Sequence, residues 1–140
     1  MIALRTDIKN MNLNDHVRLI PEREDILEIM EFADLGIVSS IESEVICRVA
    51  MEFFSVATPI VAFPTGCLPE IIRHGKNGML AKNKTSEALV KEIKNVLSNQ
   101  KLLSLIAQGA QRDAELRFNA KIMLNQTLEV FESILPSCRH

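Results

Sequence analysis

The chain has 140 residues, 47% hydrophobic and 24% charged, which suits one globular domain with its own core and excludes a disordered segment. A formal charge of −2 with scattered Lys and Arg gives no basic face for nucleic acid. No apolar run is long enough to cross a bilayer, and the start lacks the apolar stretch of a secretory leader. In chain order, residues 1–14 read as the tail of a helix and a turn. Val17 to Ile20 is a short β-type run stopped by Pro21. Residues 22–35 predict a helix, with Ile26, Ile29, Met30 and Ala33 at helical spacing and Glu22, Glu24 and Asp25 in its first turn.

A second apolar run, 35–40, ends in Ser39 and Ser40, and the next helix is expected to begin near Val45. Residues 58–64 form a third strand between prolines. Residues 68–81 then read as a short helix, a Gly-Lys-Asn-Gly turn and a brief strand. Three helices close the chain, Thr85 to Ser98, Asn99 to Arg117 and Asn119 to Leu135, with Pro136 after the last. Strands alternating with helices, each strand a continuous apolar run, predict an α/β domain whose open parallel sheet is flanked by helices, with a helical C-terminal end. Three or four short strands fall below the usual five or six of a sheet, so the chain is expected to be part of a larger domain.

In such sheets ligands bind beyond the carboxyl ends of the strands, which puts residues 39–47 in the favoured place. Unpaired N–H groups in the first turn of the following helix attract anions, and Ser40 to Glu44 form a rim for a phosphorylated ligand. The helix itself carries Val45, Val49, Phe53 and Val56 on one stripe, widened by Ile46 and Ala50, and is expected to be buried on most sides. A Glu within it must be paired, protonated or at a cleft. Glu44 and Glu52 lie about 12 Å apart along a helix, at roughly 1.5 Å per residue. That exceeds the roughly 5–9.5 Å of a paired-carboxylate hydrolase. It suits two ends of one extended ligand. By spacing alone, Arg48 and Glu52 are equally an i,i+4 ion pair, and Glu44 a first-turn acid favoured by the helix dipole.

The motifs extend further. Ser40, Glu44 and Glu52 precede Ala57-Thr58-Pro59-Ile60, then Gly66-Cys67-Leu68-Pro69-Glu70-Ile71-Ile72, then His74-Gly75-Lys76-Asn77-Gly78. Upstream stand Asp15-His16-Val17-Arg18-Leu19 and Ala33-Asp34-Leu35. Over roughly residues 12 to 135 this order resembles the C-terminal, donor-binding domain of retaining glycosyltransferases of the GT-B fold, family 4 type (group 1). The resemblance implies a Rossmann-like, partial GT-B C-terminal domain over 1–140. It implies that Glu44 reaches hydroxyls of the transferred sugar as the catalytic residue, and that Glu52 holds the nucleotide ribose. Ser40 belongs to the same donor site, and Ile46 and Cys47 approach the diphosphate through main-chain N–H groups. Arg18 and the turn after it lie where the family holds the base.

The substrate so implied is a nucleotide-diphosphate sugar, with no metal and no other cofactor. Departures are plain. Val45, Ile46 and Cys47 replace the family's small residues, Phe53 and Phe54 crowd the helix, and Ala57 stands at a glycine position. The family's Gly-rich first turn, its Arg/Lys pair and its acceptor domain are not in this sequence. Two further βα units would add about 60 residues. The expected partners are therefore a nucleotide sugar, a separate chain carrying the missing domains, a peripheral membrane contact through those domains, and further copies of this chain. The isolated chain is expected to be inactive. The alternative is a catalytically silent α/β module that serves as a binding or oligomerisation unit.

Cys47, Cys67 and Cys138 fit neither a disulfide framework nor a zinc signature. Cys47 and Cys67 are expected as small buried hydrophobes of a reduced, cytoplasmic protein. His74 reads as a turn residue, Glu70 as a helix-start acid, and the polar residues of the closing helices as solvated faces.

Overall fold

A computed structural model describes residues 2–42 and 45–135. The elements are α1 (Ile2–Asn10), α2 (Ile26–Phe32), β1 (Gly36–Val38), α3 (Arg48–Ser55), β2 (Ile60–Ala62), α4 (Leu68–Ile71), β3 (Met79–Leu80), α5 (Ser86–Leu97), α6 (Gln100–Arg117) and α7 (Ala120–Ile134). The three strands form one parallel sheet in the order β1-β2-β3, with Ile37 opposite Val61 and Val61 opposite Met79.

Alternation along β2 feeds two cores. Ile60 and Ala62 join Val38, Cys47, Ala50, Phe54, Leu68, Ile72 and Ala110 on one face, under α3, α4 and the end of α6. Val61 and Met79 join Leu89, Val96 and Ile106 on the other, under α5 and the start of α6. Helix α5 packs on β2 and β3, and Ile37 of β1 is exposed.

The last three helices begin where the sequence predicts, because their caps are local. Thr85, Asn99 and Asn119 side chains accept hydrogen bonds from the N–H groups of Ala88, Leu102 and Ile122. The strand expected over Val17 to Ile20 does not form. A strand needs a neighbour to pair with, the sheet's described strands pair only with one another, and residues 17–20 stay irregular.

Helix α3 differs as well. It starts at Arg48 and not near Val45, and its buried residues are Ala50 and Phe54. Val45 and Ile46 are 82% and 71% exposed, and Val49 is exposed too. The helix touches β1, α2 and α6, and the expected stripe is divided: Val45 and Val49 face outward, whereas Phe53 packs against the core and Val56 is half-buried. Phe53 finds room because Gly36 lacks a side chain: a Cβ there would stand 2.8 Å from the Phe53 ring.

Candidate functional site

The carboxyl ends of β1 and β2 lie side by side, tied by the Phe63 N–H donating to the Val38 carbonyl at 3.0 Å. Beyond β1 the chain passes Ser39 and half-buried Ser40. Lys84, from the loop before α5, donates to the Ile41 carbonyl at 2.8 Å and so holds this loop from the side. Glu44 lies outside the described residues. Beyond β2, Gly66 takes a positive φ of 53°, and the chain turns there into α4. The Thr65 hydroxyl is buried on this turn without a hydrogen-bond partner.

Cys47 and Cys67, one before α3 and one before α4, meet at this edge. The Cys47 N–H donates to the Cys67 sulfur at 3.3 Å. The main-chain group expected to receive a diphosphate is therefore occupied by a thiol. Cys47 is buried as expected, whereas Cys67 is only half-buried, because it stands on the turn itself. The Ile46 carbonyl accepts from the Arg48 N–H at 3.1 Å, and the Ile46 side chain forms part of the exposed rim.

Glu52 sits about 7.5 Å further along α3 at the helical rise per residue. Its side chain is 33% exposed, and Arg48 approaches only to 4.0 Å with its own side chain 82% exposed. An ion pair so long and so wet holds the carboxylate weakly. Both residues line a shallow, open depression of about 260 Å³ with Leu27 of α2, Met51 and Ser55. Glu52 thus borders this depression and stands beside a cation, as the i,i+4 spacing allows. A larger cavity of about 910 Å³ runs along α7 on the other side of Arg48, reaching Met51, Phe118, Met123 and Val130. It is a groove under a helix that buries none of its own side chains.

Asp113 of α6 was not expected to matter, yet it is buried and central. Its carboxylate accepts from Arg73 at 2.5 Å, Asn77 at 2.5 Å and Arg117 at 2.8 Å. Asn77, fully buried, also donates to the Ile71 carbonyl and accepts from the Arg73 N–H. Arg117 donates to the Glu70 carbonyl. Burial pushes the Asp113 carboxyl up, and the hydrogen bonds from Arg117, Asn77 and Arg73 outweigh it, leaving the group below its ordinary value. The network clamps the Glu70-to-Asn77 stretch onto α6. Only the Asp113–Arg117 spacing of four residues signalled it in sequence.

His74 is a turn residue whose Nδ1 accepts from the Leu80 N–H at 3.1 Å. Glu70 lies in the first turn of α4. Among the described residues no group of three His, Cys, Asp or Glu side chains is placed to hold a metal ion. Nor is any helix among them long and apolar enough to cross a membrane.

The profile of the family described as glycosyl transferases group 1 matches residues 3–113. The chain belongs to this glycosyltransferase family. An exopolysaccharide phosphotransferase of Streptomyces coelicolor is 30% identical over 136 residues, 96% of this chain and 14% of that protein. The Anabaena protein HepE, solved with UDP, superposes with a TM-score of 0.87 at 29% identity, over 94% of this chain and 36% of HepE. It has also been solved with UDP-glucose. A C-terminal domain of a group 1 protein from Francisella tularensis superposes with a TM-score of 0.71 at 21% identity, over 84% of this chain and 62% of that domain. The fold is thus that of part of a GT-B glycosyltransferase, and the chain spans about a third or less of the full-length relatives it matches.

Proposed function

We propose that this chain is the nucleotide-sugar-binding part of a retaining glycosyltransferase that moves a hexosyl group from a nucleotide-diphosphate sugar to a glycan or lipid-linked acceptor. The observation that carries this is Glu52, half-exposed on α3 at the edge of a shallow depression with a long contact to Arg48, about one and a half turns from the strand-end loops. A carboxylate there can accept two vicinal ribose hydroxyls in charge-assisted hydrogen bonds. Glu44 is assigned to the transferred sugar and Ser40 to the same rim. Ile46 and Cys47 are assigned to the diphosphate through their N–H groups, which requires the Cys67 sulfur to swing aside. HepE with UDP and UDP-glucose supports the donor class.

Residues 1–140 act in this reading as one donor-side unit of a cytoplasmic enzyme. The acceptor site and the cations that stabilise the departing diphosphate come from further domains, so the chain alone turns nothing over. The test is calorimetry of UDP, GDP and ADP sugars against an assembly of this chain with the remaining family domains. One nucleotide should bind, and Glu52→Ala should weaken it about 10- to 100-fold, the loss of charge-assisted hydrogen bonds worth about 1.5–3 kcal/mol. Absence of binding by every nucleotide ends the reading.

The second reading, a silent module that self-associates, draws on α7. Leu124, Leu128, Phe131 and Leu135 recur on one helical side and are all exposed. A face of this kind is a surface for another copy of the chain or for a neighbouring domain.

A further inference from the structure

We propose that Cys47 and Cys67 are a redox pair whose reversible disulfide closes the strand-end site. The N–H of Cys47 lies 3.3 Å from the Cys67 sulfur. With standard bond lengths that sulfur is about 4 Å from the Cys47 Cα, and the two Cα atoms are no more than about 7 Å apart. Disulfides span roughly 4.4–6.8 Å between Cα atoms, so a rotation of the two side chains with a small loop shift joins them. Each residue is the last before a helix, Cys47 before α3 and Cys67 before α4.

Their burial sets the order of events. Cys67 is half-buried and meets solvent first, whereas Cys47 is 2% exposed and shielded from it. A low-molecular-weight disulfide such as oxidised glutathione is the oxidant. The Cys67 thiolate attacks one of its sulfurs, forming a mixed disulfide on Cys67 and releasing one small thiol. The Cys47 thiolate then attacks the Cys67 sulfur, the bond between the two protein sulfurs forms, and the second small thiol leaves. Two protein thiols have lost two electrons and two protons, and the small disulfide has taken up both as two thiols.

The consequence for ligand binding rests on the donor-site reading. In the reduced protein the Cys67 sulfur can leave the Cys47 N–H when a diphosphate arrives. Once bonded to Cys47 it cannot swing away, and the loops after β1 and β2 are tied to each other. Oxidation therefore lowers nucleotide affinity.

The experiment incubates the 140-residue chain, as the Cys138→Ser variant so that a single pair is available, with oxidised glutathione. Intact mass and peptide mapping should show loss of two hydrogens and a Cys47–Cys67 linkage that dithiothreitol reverses. Cys47→Ala should instead retain glutathione on Cys67. A stable glutathione adduct on Cys67 with Cys47 intact, or no reaction at all, overturns the pair. UDP calorimetry on the assembly described above, before and after oxidation, tests the closure: affinity should fall about tenfold or more, the loss of one charge-assisted hydrogen bond. Equal affinity in both states overturns the closure and leaves the donor site standing. No UDP binding by the reduced assembly sinks the donor site and the closure together, while the linkage is judged by its mass alone.

Discussion

Ala57, two residues after the last residue of α3, holds a left-handed backbone with φ of 57°. A side chain in that region costs about 1–2 kcal/mol, part of which glycine returns as unfolded-state entropy. Ala57→Gly should therefore raise stability by about 0.5–1 kcal/mol, read as a higher urea midpoint. Asp113 gives the opposite kind of prediction. Its carboxyl titrates lower in the folded protein than in the unfolded chain, where the value is about 3.9. The stability it contributes is fully present above about pH 4 and is lost as pH falls through the folded value. Asp113→Asn should cost about 1–3 kcal/mol at neutral pH, and the gap from the parent protein should shrink in acid. A gap independent of pH would show that the charge is immaterial to the clamp.

At the scale of elements, α6 carries a conflict between propensity and contact. Gly109 sits mid-helix, where alanine is favoured by about 1 kcal/mol. A Cβ at this position would run into the Lys76 carbonyl of the turn that Asn77 and Asp113 hold down. Backbone crowding of this kind costs about 1–3 kcal/mol, so Gly109→Ala should destabilise despite its better propensity. Denaturation of the purified variant decides which effect wins. Helix α3 shows the same primacy of surroundings. Arg48, Glu52 and Ser55 share its polar side, and only Ala50 and Phe54 are fully covered where it meets β1, α2 and α6.

At the scale of the whole molecule, the outer edge of β1, next to exposed Ile37, and the apolar side of α7 stand open among the described residues. Both are of the kind that drives association. If α7 is the contact, Leu128→Lys with Phe131→Lys should shift the chain towards monomer in size-exclusion chromatography with light scattering, with the helical signal unchanged. A monomer at high concentration before mutation would count against self-association. The irregular path of residues 17–20 belongs to this scale too. The run has strand composition, yet a strand is a property of a pair, and no described neighbour offers it one.

The sequence by itself determined what depends on neighbours in the chain. Caps at Thr85, Asn99 and Asn119, the apolar runs around Val38 and Val61, and the turn at Gly75 act within a few residues, so the order of strands and helices could be read directly. The position of Ser40, Ile46 and Cys47 at the carboxyl ends of strands followed from that order. Only the tertiary structure decided which side of α3 is buried, that Asp113 meets Arg73 forty residues away, and that Cys47 meets Cys67. Those outcomes depend on how separate elements pack, and no periodicity within one segment encodes the distance to another.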